Sequence, residues 1–190
     1  MAESAEAQKG PFPLTEGKVR GYRVNEVDEF LDQIKATYEG GVAEGEKVTA
    51  SMIRRRGFEV TKKGYDPRFV DAALDRLEEV LFDRERRAFQ EKNGLEEWQK
   101  SIESLGSDLA LRMRRDRSAR FTRRSIFSSG YRISQVDAVI DQLADRLDQG
   151  LDVRVNDVRT VRFYPQRRGY DEAQVDAFLD AVVEYLLSQR

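Results

Sequence analysis

Four pairs of aspartates in this chain could do chemistry. Asp28 and Asp32, Asp71 and Asp75, Asp137 and Asp141, and Asp176 and Asp180 each stand four residues apart. On a helix that spacing puts both carboxylates on one face. Such a pair could hold a hard cation or divide the acid and base roles of a reaction. A tyrosine stands six residues before each pair, at Tyr22, Tyr65, Tyr131 and Tyr170, and offers a phenol. A run from Arg112 to Arg124 holds seven arginines, enough to hold phosphates or anionic lipid headgroups. The triplet Arg54-Arg55-Arg56 is a smaller version of the same signal.

The bland reading of each feature is the stronger one. The chain has no cysteine and no histidine, which excludes disulfides, thiol nucleophiles, zinc fingers and imidazole chemistry. No phosphate-binding glycine loop, hydrolase elbow or dinucleotide fingerprint is present. A carboxylate pair kept in four copies argues for structure rather than for one reaction centre. Like charges at that spacing cost a few tenths of a kcal/mol in an isolated helix. The macrodipole offsets the first aspartate, and the second calls for a basic or backbone partner in a paired copy. The tyrosines are expected to pack over a partner helix with the hydroxyl on a polar neighbour. The arginine run reads as a solvated linker or helix end paired with acidic neighbours. No catalytic residue, no metal and no cofactor is expected.

The features belong to a repeat. GYRVNEVDEFLD starts at Gly21, GYDPRFVDAALD at Gly64, GYRISQVDAVID at Gly130 and GYDEAQVDAFLD at Gly169. Six positions recur at fixed offsets: Gly21, Tyr22, Val27, Asp28, Leu31 and Asp32, then Gly64, Tyr65, Val70, Asp71, Leu74 and Asp75. The other two sets are Gly130, Tyr131, Val136, Asp137, Ile140 and Asp141, and Gly169, Tyr170, Val175, Asp176, Leu179 and Asp180. The first and third copies share Gly-Tyr-Arg and a Phe nine residues ahead (Phe12, Phe121); the second and fourth share Gly-Tyr-Asp and a Phe six ahead (Phe58, Phe163). The order is A-B-A-B, with A copies 109 and B copies 105 residues apart, as duplication of one A-B pair would leave it.

Each copy reads as a turn followed by an amphipathic helix. Val27, Phe30, Leu31 and Ile34 fall on one helical face, and the other copies repeat the spacing. Asp66 before Pro67 is a helix start, Asp171 with Gln174 suits a capping box, and Asn25 and Ser134 are the candidate caps of the A copies. A unit of about 30 residues cannot bury such a face alone, so an A copy and its B neighbour should pair.

Between the halves, Leu74, Leu81, Ala88, Leu95, Ile102 and Leu109 recur every seven residues. Asn93-Gly94 marks a helix stop, and Gly106 weakens the helical segment around it. A packed helical hairpin is the preferred reading and a short intermolecular coiled coil the alternative.

Mixed charge, 33 basic against 35 acidic residues, gives no global nucleic-acid signature. Charge at 36% with 39% apolar residues suits a mainly helical protein with modest cores. MAESAEAQKG lacks an apolar signal core, and no apolar run approaches the roughly 18 residues of a membrane span. Any membrane contact is therefore expected to be peripheral.

The motif resembles the N-terminal domain of the DivIVA family. The likeness is closest at Phe163, Gly169, Tyr170, Asp171, Val175, Asp176, Phe178, Leu179 and Asp180, and covers roughly half the residues over four units. The resemblance implies a bacterial, cytoplasmic, non-enzymatic scaffold. DivIVA proteins gather at poles and septa of Gram-positive bacteria, dimerise, and recruit division, growth or chromosome-anchoring factors. Two departures stand out. The family's long coiled coil is missing apart from the short middle segment. The family's membrane tip, a bulky apolar residue and a basic one before Gly-Tyr, corresponds to Val19-Arg20, Lys62-Lys63, Ser128-Ser129 and Arg167-Arg168; only Val19-Arg20 keeps the character, and Phe127 stands one residue away.

The expected architecture is mainly α: four turn-helix repeats in two pseudo-dimeric pairs with a helical hairpin or short coiled coil between. Residues 1–11 form a disordered N-terminus, 12–82 the first pair (12–39 and 53–82), 83–116 a connector, and 117–190 the second pair (121–149 and 158–187). The expected function is that of a scaffold or adaptor of the division or polar-growth machinery, a monomer or homodimer that binds other proteins. The alternatives are a peripheral anionic-membrane or nucleic-acid binder using Arg112–Arg124, or a regulator that co-assembles with a full-length DivIVA scaffold. Val19, Arg20, Lys62, Lys63, Arg167, Arg168, Arg114, Arg115 and Arg117 are the candidate anion contacts. The expected location is cytoplasmic, with peripheral attachment at membrane, pole or septum as the variant.

Overall fold

A short strand and a helix arise at each Gly-Tyr segment because the glycine admits a second backbone and the apolar stripe behind it needs cover. The computed structural model describes residues 10–190. The tail expected at 1–11 falls, for residues 1–9, outside the described residues. The chain is mainly helical and divides into two units, the first reaching Ala88 and the second running Phe89–Arg190. The expected connector at 83–116 is split between them.

In the first unit, β1 (Arg20–Tyr22) leads into α1 (Val24–Glu39), followed by a 3-10 turn at Glu44–Glu46, α2 (Ala50–Arg55), β2 (Val60–Lys62) and α3 (Pro67–Asn93). β1 and β2 are antiparallel, with Arg20 opposite Lys62, Gly21 opposite Thr61 and Tyr22 opposite Val60. Val27, Phe30 and Ile34 of α1 and Val70 and Leu74 of α3 are buried. Each contributes roughly 1.5–3 kcal/mol of apolar transfer. α2 is capped by Thr49, whose side chain accepts from the Met52 amide. It closes the core with Ala50 and Ile53.

In the second unit, α4 (Leu95–Met113) precedes β3 (Ser129–Tyr131), α5 (Ile133–Asp148), α6 (Val155–Arg159), β4 (Pro165–Arg167) and α7 (Glu172–Ser188). β3 and β4 are antiparallel with Ser129 opposite Arg167 and Tyr131 opposite Pro165. α7 packs against α4 and α6, and α4 also meets α5.

The middle segment breaks where the sequence indicated. α3 ends at Asn93, and Gly94 takes φ +92° before α4 begins. Phe89 and Trp98 meet edge to face across the break, with centroids 5.7 Å apart. Gly106, read as a weakness, instead lies inside an unbroken α4. A Cβ there would fall 2.8 Å from the Tyr185 ring, so the absent side chain is what lets α7 approach.

The helix starts divide by copy type. Asp66 accepts from the Arg68 amide ahead of Pro67, and Asp171 accepts from the Gln174 amide. The A copies differ from expectation. Their helices begin at Val24 and Ile133, so Asn25 and Ser134 lie inside them and Arg23 and Arg132 occupy the cap without a side-chain bond. The partner copy fixes these entries instead. Arg23 N–H donates to the Glu59 carbonyl (2.8 Å) while the Glu26 carboxylate accepts from the Glu59 amide (2.9 Å). Arg132 and Gln135 treat Tyr164 in the same way, each at 2.9 Å. Gln174 likewise reaches across to the Thr122 amide rather than closing a capping box.

Candidate functional site

The shared offsets of the repeat converge where two Gly-Tyr segments meet. Tyr22 and Tyr65 exchange both backbone hydrogen bonds, at 2.9 and 2.8 Å; Tyr131 and Tyr170 exchange theirs at 2.9 Å. The glycines beside them leave no room for a side chain. A Cβ on Gly21 would stand 2.3 Å from the Tyr65 carbonyl oxygen, and one on Gly64 2.4 Å from that of Tyr22. At Gly130 and Gly169 the distances are 2.1 Å from the Tyr170 oxygen and 2.4 Å from the Tyr131 oxygen. The obstruction is backbone in every case and cannot swing away.

The aspartates answer the tyrosines. Tyr65 donates its hydroxyl to Asp28 at 2.9 Å, Tyr170 to Asp137 at 3.0 Å and Tyr131 to Asp176 at 3.4 Å. Each bond runs from one copy's turn to the second turn of the other copy's helix. Burial, then the bonded carboxylate of Asp28, pushes the Tyr65 hydroxyl up to about 12. Burial and Asp137 push Tyr170 up to about 12 against the opposing Arg120, and burial and Asp176 take Tyr131 to about 12. These phenols are therefore neutral donors at physiological pH. The cross-copy partner expected for the second aspartate thus belongs to the first.

The second aspartate has a basic partner at Asp141, but it comes from the same copy's leading segment. Arg120 forms an ion pair with Asp141, and Arg117 meets the other oxygen at 2.5 Å. Arg120 also donates to the Asp137 carbonyl at 2.9 Å and is itself buried. Burial raises the Asp141 carboxyl, and the two guanidiniums more than offset it, holding it below its ordinary value. Asp32 is exposed; Asp75 and Asp180 are half-buried.

The arginine run is largely engaged within the fold. Arg112 donates to the Arg120 carbonyl at 2.9 Å and stacks 5.5 Å over Phe121. Arg123 donates to the Ser118 carbonyl, and Arg124 pairs with Asp171 at 3.0 Å. Arg114 and Arg115 are exposed. In the triplet, Arg54 pairs with the buried Glu78 at 2.7 Å, and Arg56 stands 5.0 Å over the Phe30 ring. The Arg54–Glu78 pair escaped sequence reasoning because Glu78 sits one position past the repeating apolar face; nothing in its local sequence marks it as buried.

The strand tips gather the remaining candidates. Arg20 lies opposite Lys62 in β1–β2, with Lys63 next in left-handed backbone at φ +56° and Val19 62% exposed. In the second unit Arg168 takes the same φ, and Arg167 donates to the Ile126 carbonyl at 3.3 Å. Phe127 beside it is 86% exposed.

Among the described residues no group of three carboxylates converges as a metal-binding set. No helix among them is long and apolar enough to cross a membrane. No family model, no curated protein and no solved structure matches the chain.

Proposed function

We propose that the protein is a non-enzymatic adaptor of the bacterial cell-division or polar-growth machinery, built from DivIVA-like units in which each A-B pair stands in for a dimer of the family's domain. The observation that carries this reading is the reciprocal approach of Gly21 with Gly64 and of Gly130 with Gly169. The repeated glycines, tyrosines and first aspartates engage one another across copies, so the motif is spent on pairing. What is left outward is helix surface, which suits protein contacts. Proximity labelling with the full chain in its own cells tests this. Enrichment of division or growth-pole proteins is expected; a labelled set without them would retire the reading.

A second reading has its own observation. Arg20 opposite Lys62 is a like-charge cross-strand pair, which is unfavourable unless an anion bridges it. Phe127 stands exposed beside Arg167 at the other tip. Together they suit peripheral contact with an anionic membrane, at about 1 kcal/mol per basic residue near the surface. Sedimentation with phosphatidylglycerol vesicles should carry the protein down at low salt, and Phe127→Ser should reduce it. Equal recovery on zwitterionic vesicles would count against the idea.

A further inference from the structure

We infer that the outward stripe of α3 in the first unit is a docking seat for an acidic amphipathic helix of another protein. The inference rests on the adaptor reading and names the kind of partner.

α3 and α7 are the same helix of the repeat, 105 residues apart. In the second unit α7 has a cover. α4 packs on it, Gly106 admits Tyr185, and Leu109, Met113 and Val182 are buried. In the first unit the matching positions are open. Val80, the equivalent of Tyr185, is 46% exposed, and Leu77, the equivalent of Val182, is half-buried. Phe69 is 51% exposed. At 100° per residue, Phe69, Arg76, Val80 and Arg87 fall within about 20° of one line along the helix. Aligned apolar side chains of this kind mark an interaction surface where scattered ones would not.

α4 shows what chemistry covers such a stripe: an amphipathic helix with a glycine at the crossing. It also carries Glu96, Glu97, Glu103 and Asp108. Charge then sharpens the partner. α7 has Ala181 where α3 has Arg76, so this seat adds basic groups to its apolar floor. Arg76 and Arg87 are exposed, and neither has an ion-pair partner among the described residues. An occupant with carboxylates flanking its apolar stripe complements both. The nine residues before Gly10 carry Met1 as their one large apolar side chain and cannot supply that stripe.

The probe is a fluorescein-labelled synthetic peptide of Leu95–Met113, 19 residues, the molecule's own example of such a helix. Fluorescence anisotropy against the full chain should show saturable binding that weakens with salt. Val80→Asp should lower the affinity at least about tenfold, as loss of a central apolar anchor does. Arg76→Glu should lower it about threefold and flatten the salt dependence. Both positions are exposed, and circular dichroism melting verifies that each variant is folded; Tyr164→Ser, exposed in the other unit, should leave binding unchanged. Absence of saturable binding up to ~100 μM overturns the inference. So does binding that survives Val80→Asp, which would assign the peptide to α7 by exchange with the resident α4. A homodimer in light scattering that Val80→Asp dissociates would also overturn it, in favour of self-association. None of these failures touches the proximity-labelling result on which the adaptor reading stands.

Discussion

The two units share one interlock and differ in where they bury charge. In the first, the ion pair is in the B copy: Glu78 of α3, 1% exposed, against Arg54 of α2. The residue 105 positions on is Val183, buried among apolar neighbours. In the second, buried charge lies in the A copy, where Arg120 serves Asp137 and Asp141. The residue 109 positions before Arg120 is Pro11, and the counterpart of Asp141 is the exposed Asp32. The backbone contact at the paired glycines tolerates no variation, whereas a side-chain network can be rebuilt on the other copy. What the repeat keeps is what has no room to change.

The harshest way to break that equivalence is at the glycines. Gly130→Ala would place a Cβ 2.1 Å from the Tyr170 oxygen and 2.7 Å from Arg124 Cγ; Gly21→Ala would place one 2.3 Å from the Tyr65 oxygen. Forcing two backbones apart should cost about 3 kcal/mol or more in either unit. Amide hydrogen exchange resolves the units: the substituted one should lose protection while the other keeps it. Intact protection in Gly130→Ala would mean that the interlock does not hold the second unit together.

The buried pairs come next. Glu78→Gln leaves Arg54 buried against a neutral amide and should cost about 3 kcal/mol, while the double change Arg54→Met with Glu78→Val, which copies the apolar solution of Val183, should lie within about 1 kcal/mol of the parent. Arg120→Met should cost about 3 kcal/mol in the second unit. Pro11→Ala, its exposed counterpart, should cost less than about 0.5 kcal/mol. Urea melts followed unit by unit give these values. A double variant as damaged as Glu78→Gln would show that the first unit depends on its ion pair and cannot adopt the apolar core.

These differences explain what sequence could and could not disclose. The apolar stripes were legible because helical spacing alone puts Val27, Phe30 and Ile34 on one face, and the structure buries all three. The break at Gly94 was legible for a similar local reason. The caps at Asn25 and Ser134 were misread because the entry to each A helix is set by Glu59 or Tyr164 from the other copy, and no local pattern records such a partner. The arginine run looked like an anion site because seven like charges crowd one segment; their partners Asp141 and Asp171 lie far along the chain. Non-local partners are the common cause.

Acid separates the units more gently. The depressed Asp141 carboxyl stabilises the fold above its unfolded pKa of about 3.9, and that contribution is lost as pH falls through the lower folded value. Asp176 has the opposite sign. Burial and then the charges of Asp180 and Glu172 raise it, against the Tyr131 hydroxyl and Arg162, so its contribution is present at low pH and lost as pH rises through the raised value. Below about pH 4 the second unit should therefore weaken as Asp141 protonates. Asp141→Asn should flatten that limb of a melting-temperature profile, and Asp32→Asn is the control. An unchanged acid limb in Asp141→Asn would place the titrating group elsewhere.

The finest comparison is between the tyrosines themselves. Tyr170→Phe removes a donor from the buried Asp137, which keeps the Ser118 amide at 2.8 Å and Arg120 at 3.6 Å. It also strands the Arg120 amide, which donates to the Tyr170 hydroxyl at 3.3 Å. Tyr65→Phe frees Asp28, which is half-buried and can turn to water. Pro11, standing where Arg120 stands, has no amide hydrogen to strand. The first change should cost about 1.5 kcal/mol and the second about 0.5–1 kcal/mol, with Tyr131→Phe below both because its bond to the exposed Asp176 is the longest. The raised phenols add an alkaline test. Their contribution is whole below about pH 10 and lost as pH rises toward 12, so each Phe variant should remove part of the alkaline loss of stability. Equal costs for Tyr65→Phe and Tyr170→Phe would show that the stranded amide of Arg120 weighs nothing, and that the units differ only in their ion pairs.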